Sequence, residues 1–272
     1  MFKFFFKKNF VDIWENLFYV ILINFFKVVV SAGTFVCVSY AFSYLPLDER
    51  FINIVSFVLI LITAFVVCVM IFAGGENAVK VADFKAASYV EFFRQIPKVL
   101  KDSFYGAVLF TIVYVVGKVS LPYYLNFWIE TENIFFLILA AVIFWLLFMS
   151  VLAFQWLLPV RSIMHNNFLK CVKKCYLLLI DNFGFTFALF LVNILNLALT
   201  VVTFGLVPGF NGIEITVVNA LRLRLYKYDW IEVNPGMTKA ERKDVPWDEL
   251  LMRDKETLGP HPFKAIFKPW RS

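Results

Sequence analysis

Apolar runs long enough to cross a bilayer recur along this chain, and they restrict its fold more than any other feature. They cover residues 18–45, 52–72, 104–121, 134–158 and 183–207, with a shorter one at 210–225. A stretch of about 18 or more apolar residues reads as a membrane span. In hydrocarbon every backbone amide and carbonyl must be paired within the segment, so each run is expected to be a helix. Composition agrees: 61% of residues are hydrophobic and 17% charged, with 34 Phe, against roughly 45–50% and 25% in soluble domains. The expected fold is all-α, a polytopic transmembrane helical bundle of about six spans over residues 1–228, with amphipathic helices in its loops and a polar tail at 229–272. The sixth run carries Glu214, Asn219, Arg222 and Arg224, so it spans only if the arginines reach back to the interface.

Charge placement gives an orientation. All but three of the 26 Lys and Arg fall before the first run, between the second and third, between the fourth and fifth, or from Arg222 onward. The exceptions are Lys27 and Lys118, inside runs, and Arg50, which shares the opposite loops with Asp48, Glu49, Glu130 and Glu132. By the positive-inside rule the basic loops and both termini are cytoplasmic, which six spans satisfy and five do not. The net charge of +6 is then a topology signal, and the lipid bilayer rather than nucleic acid is the expected partner. Trp14, Tyr123, Tyr124, Trp128 and Trp230 fall near span ends as depth anchors. Cys37 and Cys68 lie in apolar runs, and Cys171 and Cys175 in a cytoplasmic loop, so all four are expected to be reduced. The start has no short apolar core with a cleavage site, so no removable signal is expected.

Two loops carry amphipathic sequence. Between the second and third spans, VKVADFKAASYVEFFRQIPKVLKDSF mixes Val81, Phe84, Phe92, Phe93 and Leu100 with Lys80, Lys85, Arg94, Lys98 and Lys101, a pattern for helices lying on the inner leaflet. Between the fourth and fifth, Lys170, Lys173 and Lys174 form one stripe opposite Phe168, Leu169, Val172 and Tyr176, a basic face suited to docking. Asp102-Ser103-Phe104 and Asp181-Asn182-Phe183 each read as a capped span start. They are either halves of a diverged parallel repeat or two independent caps. The tail, broken by five prolines, is too poor in apolar residues to form its own core. Within it residues 246–256 are expected to form a short helix, and PFKAIFKPW to dock on the membrane or on the protein's own loops.

Charge inside spans is the usual pointer to function in such a chain, and the candidates are Lys27, Lys118 and Glu214. Lys118 is expected to snorkel to the outer interface. Lys27 is either the cytoplasmic anchor of a span beginning at Val28 or a buried group. Glu214, just after Pro208-Gly209-Phe210-Asn211-Gly212, either sits at a wet rim or partners a lysine or a solute. Cys171 and Cys175 share a helical face with His165 nearby, but a closed zinc site needs four ligands, so no metal is expected. No catalytic constellation, phosphate-binding glycine loop or cofactor motif is spelled out, and an enzyme is the least supported class.

The segments FKKNFVDIWENLFYVILINFF, EFFRQIPKVLKDSFYGAVLF, FQWLLPVRSIMHNNFLKCVKKCYLLLIDNFGFTFALFLVNIL and PGFNGIEITVVNALRLRLYKY resemble the YesL-type family of bacterial multi-pass membrane proteins, whose biochemical role is unassigned. The resemblance covers roughly residues 5–228; the proline-rich tail departs from it. It implies a bacterial inner-membrane location and, because such proteins are commonly encoded beside sugar-uptake ABC transporters, a non-enzymatic accessory role in carbohydrate uptake with ABC transporter subunits as partners. A solute transporter or permease subunit in its own right is the alternative.

Overall fold

A computed structural model describes residues 1–44, 49–238 and 241–259, and side-chain environments outside residues 49–53. The described residues form helices: α1 (Phe2–Glu15), α2 (Leu17–Ser43), α3 (Glu49–Ala82), α4 (Tyr89–Val115), α5 (Leu121–Thr131), α6 (Ile134–Phe154), α7 (Leu157–Met164), α8 (Phe168–Asp181), α9 (Phe183–Val202), α10 (Gly209–Val233), α11 (Trp247–Leu250) and α12 (Met252–Leu258). A π-helical turn, Val116–Ser120, joins α4 to α5. The fold is thus an all-α helical bundle.

Among the described residues, five stretches are long and apolar enough to cross a membrane: Leu17–Ser43, Ile54–Ala82, Tyr89–Thr131, Ile134–Met164 and Phe183–Val202. The sixth expected span lies in α10. At 25 residues and about 1.5 Å per residue that helix has the length for a crossing, but it is too polar to stand in lipid. The structure resolves this by burying it, with half of its residues enclosed among α1, α2, α3, α7 and α9.

Packing is uneven along the bundle. No residue described between Val28 and Val67 is buried, and of residues 108–151 only Thr111 and Ala140 are. The core gathers instead at the end where the chain begins: Phe5 and Val11 of α1, Val20 of α2, Phe72 and Ala73 of α3, Phe92 and Val99 of α4, Trp156 and Val160 near and in α7, and Leu221 of α10. Away from that end the helices present Phe35, Ile54, Ile112, Ile138, Trp145 and Val202 outward. In water such surface would drive aggregation, whereas lipid is a good solvent for it. The apolar helices therefore make this a membrane protein.

Several local expectations change. Residues 89–103 are not a separate surface helix but the first half of α4, continuous with the third span and capped by Ser88 Oγ, which accepts from Glu91 N. Asp102 consequently lies inside a helix, where it accepts from Arg161 Nε at 2.7 Å, rather than capping one. Asp181 ends α8 and accepts from Tyr228 OH at 2.6 Å. The two aspartates therefore hold different partners. Residues of the tail pack on the bundle: Leu251 and Leu258 join the main core, and a helix break at Leu251 divides the expected 246–256 helix. The segment 262–270, His261, Asp48 and the side chains of Glu49 and Arg50 lie outside the described residues.

Candidate functional site

The strongest polar constellation forms where α2, α3 and α10 meet. Asn24 and Lys27 stand one turn apart on α2, and Asn211 and Glu214 one turn apart on α10. That i, i+3 spacing puts each pair on one face of its helix. Lys27 Nζ donates to Glu214 Oε1 at 2.5 Å and to Asn211 Oδ1 at 2.6 Å. Both charged side chains are sealed, Lys27 at 1% exposure and Glu214 at 2%. The third wall is backbone: a Cβ on Gly74 of α3 would overlap Glu214 Oε2 and stand 2.7 Å from Lys27 Nζ. Only glycine there lets α3 approach closely enough to close the site.

Asn24 anchors the start of α10 beside this pair. Its Nδ2 donates to Leu206 O at 2.8 Å and Pro208 O at 2.9 Å, while its Oδ1 accepts from Asn211 N at 2.9 Å. Gly209 N donates to Thr200 Oγ1 of α9 at 3.0 Å. Free amides at a helix start and the carbonyls of the preceding turn must find partners when buried, and one asparagine supplies three of them. Gly209 has φ +63, and a Cβ there would overlap Asn24 Nδ2, so the position takes glycine for both reasons.

A second polar layer follows α10 toward the chain termini. Asn219 Nδ2 donates to Asp12 Oδ2 at 2.7 Å and Asn9 Oδ1 at 2.8 Å. Lys8 pairs with Asp12 at 3.0 Å and lies 3.6 Å from the centroid of the Phe84 ring. Burial pushes the Lys8 ammonium below its ordinary range and the Asp12 carboxyl above its own, and their mutual attraction opposes both shifts. Arg222 then binds Asp83 at 2.7 Å, the Ala82 carbonyl, and Asp254 of α12 at 3.3 Å. Arg224 reaches Asn182 Oδ1 at 3.3 Å and stacks on Phe185. The two arginines therefore do not snorkel: they tie the loop after α3, the start of α9 and the tail to one helix.

The structure joins two of the three intramembrane candidates. Lys27 is not an exposed cytoplasmic anchor and Glu214 is not at a wet rim; they are each other's partner. Lys118 stays apart, exposed in the π turn with its Nζ 5.8 Å from the centroid of the Tyr114 ring. Of the basic face on α8, Lys170 and Lys173 are exposed, but Lys174 turns inward to Met164 Sδ at 3.1 Å. On the opposite face Phe168, Val172 and Tyr176 pack, partly buried, against the core as expected, but they are not its innermost residues. It is Cys171, Cys175, Leu178 and Leu179 that are buried, whereas Leu169 is 81% exposed beside the lysines. The basic stripe is thus interleaved with Leu169, Leu177 and Ile180, as a helix in contact with a membrane surface requires. His165 turns outward toward Glu76, 3.7 Å away. Burial raises the Cys171 and Cys175 thiols above their ordinary range.

Comparison with protein-family models, curated proteins and solved structures finds no match for this chain. The site therefore has to be interpreted from its own chemistry. A lysine and a carboxylate that neutralise each other, with an amide completing the ammonium shell, form a closed electrostatic unit. What such a unit does well is hold helices in register. Asn24 and Gly74 escaped the sequence reading, and Asn211 and Asn219 were noted in it without a role. The signal was present in the repeated i, i+3 pairing of Asn24 with Lys27 and of Asn211 with Glu214, and in the Gly74-Gly75 pair inside an otherwise bulky span.

Proposed function

We propose that the protein is a non-enzymatic, multi-pass component of the bacterial inner membrane that assembles with another membrane complex, with the subunits of a carbohydrate-uptake ABC transporter as the expected partners. The carrying observation is the contrast between the two ends of the bundle. The charged groups of the packed end pair with one another, Lys8 with Asp12 and Arg222 with Asp83 and Asp254, and Lys27 and Glu214 are committed to an internal contact. The remaining halves of α2, α3, α4, α5 and α6 leave their apolar side chains outward. Helix surface of that kind is what one membrane protein offers another, because association in lipid depends on packing rather than on hydrophobic driving force. The identity of the partner rests on the YesL-type resemblance alone.

Sidedness follows from the Lys and Arg distribution, which supports cytoplasmic N- and C-termini. On this reading α8, with Lys170 and Lys173, lies at the inner surface, where a cytoplasmic partner or anionic headgroups can reach it.

The test is photocrosslinking in intact membranes from outward positions such as Ile138 and Trp145, followed by purification in mild detergent. The expected result is a discrete adduct with a transporter subunit. A uniform monomer with lipid adducts only, under several detergents, rejects the proposal. Solute uptake by the reconstituted chain alone, abolished by Glu214→Gln, would replace it with the transporter reading.

A further inference from the structure

Beside the charged pair lies a cavity of about 170 Å³ enclosed by α3, α4, α9, α10 and the junction of α6 with α7. Phe72, Phe110, Phe154 and Phe210 make much of its wall, and the polar groups that reach it are Gln155, Asn193 and Glu214. Their hydrogen bonds determine what the cavity accepts. Gln155 Nε2 donates to Thr186 O at 2.8 Å and Leu152 O at 3.0 Å. Backbone carbonyls only accept, so this amide has one possible orientation. Gln155 Oε1 must then receive Asn193 Nδ2, which it does at 3.2 Å. That fixes Asn193 as well and leaves its Oδ1 buried without a partner among the described residues. Glu214 is neutralised by Lys27.

We propose that this cavity binds one neutral, largely apolar molecule of phenol to indole size, which donates an O–H or N–H to Asn193 Oδ1 and packs its body against the phenylalanines. Size sets the class, since an engineered apolar cavity of about 150 Å³ accommodates benzene. Charge excludes the neighbours of that class. An ammonium would meet the like charge of Lys27, which already offsets Glu214, and an anion would meet the acceptor oxygens of Glu214 and Asn193 with no unpaired cation among the lining residues. An acyl chain fills the space but leaves Asn193 Oδ1 unpaired, and a buried acceptor left so costs on the order of 1–3 kcal/mol. Water satisfies the amide yet leaves the aromatic wall unfilled. Phe110 is exposed at the rim, so entry is lateral, from the bilayer. The site is independent of any partner complex.

The experiment is thermal unfolding of the purified full-length protein titrated with phenol, indole and benzene, the last matched in shape but lacking a donor. Phenol and indole are expected to give a saturable rise in Tm, with phenol binding about tenfold more tightly than benzene, the equivalent of one neutral hydrogen bond. Asn193→Leu should bring phenol and benzene to equal affinity. Val217→Phe, which fills the cavity from α10, should abolish both and calibrates partition into detergent; Cys68→Phe does the same from α3 if that variant does not fold. No saturable response in the wild type, as for a site holding water or an acyl chain, overturns the proposal. So does equal binding of phenol and benzene to the wild type, or a phenol preference that survives Asn193→Leu.

Discussion

Breaking the Lys27–Glu214 pair from one side should destabilise the protein more than removing it altogether. Both side chains are sealed, and each depends on the other for its main charge partner. In Glu214→Leu the ammonium keeps, among the described residues, the hydrogen bond to Asn211 Oδ1 at 2.6 Å and the Phe92 ring 5.5 Å away; in Lys27→Met the carboxylate loses its only ion-pair partner among the described residues. Removing one member of a buried pair costs about 3–5 kcal/mol, because the charge left behind is uncompensated. At about 2–4 °C per kcal/mol for a chain of this size, each single variant should melt roughly 6–20 °C lower. The double variant Lys27→Met/Glu214→Leu leaves no charge and similar volume, so it should return to within about 1–2 kcal/mol of the wild type. The cycle is read by thermal unfolding in one detergent, with far-ultraviolet circular dichroism confirming equal helix content before heating. Single variants that lose less than about 1 kcal/mol would show that water or lipid headgroups already reach the pair. A double variant as unstable as the two losses added would refute the pairing itself.

Gly74→Ala should resemble Glu214→Leu in Tm, because the new methyl displaces the carboxylate; Gly33→Ala, whose Cβ meets nothing within 4 Å, should melt no lower than the wild type. Leu251→Asp should release the tail, read as faster proteolysis between residues 241 and 259 while α1 to α10 stay intact, since Leu251 is fully buried and anchors the helix break from which Asp254 reaches Arg222 and Tyr226. N-ethylmaleimide should leave Cys171 and Cys175 unmodified in the native protein and label them in hot dodecyl sulfate, because burial both hides the thiols and disfavours the thiolate; rapid native labelling followed by mass spectrometry would contradict the buried face of α8. Cysteine placed at Asn133 should react with a membrane-impermeant maleimide in whole spheroplasts and at Asn234 only after lysis; the reverse pattern would invert the orientation.

What the sequence revealed and what it withheld separate along physical lines. The apolar runs were legible because a span has to satisfy a composition and a length in one continuous stretch: α2, α6 and α9 follow the expected segments closely, while α3 continues past the expected end at residue 72 to Ala82. The third span was shortened because Arg94, Lys98 and Lys101 looked like a loop. In the structure they stand on the outward side of α4 while Phe92 and Val99 face the core. Hydropathy averages over both faces and so placed the boundary too late. The two readings left open for Lys27 had the same cause: its depth depends on α10, a helix 187 positions away in sequence. The orientation of α8 was legible only in part, for a subtler reason. Grouping its lysines implied an oily back at Leu169, but small Cys171 and Cys175 permit the closest approach and took the buried side, leaving Leu169 outward.

A consideration of solvent explains why charge and amides appear where they do. In water the gain from burying apolar surface would choose which faces of these helices meet. Between spans surrounded by lipid that gain is absent, since a phenylalanine is as well solvated by acyl chains as by another helix. Apolar packing alone would leave α10 free to slide or rotate against α2 and α3. Asn24 on the start of α10, Lys27 on Glu214, Asn219 on Asp12 and Arg222 on Asp83 and Asp254 each have one partner position, and all four contacts can form together in one register only. A shift of α10 by one turn, about 5.4 Å, would break every one of them at once. The Lys27–Glu214 pair sits where the packed end gives way to the outward-facing halves of the helices. It stands one turn from the Asn24 contact at the start of α10, so its loss should loosen that end of the helix first and spread toward the tail.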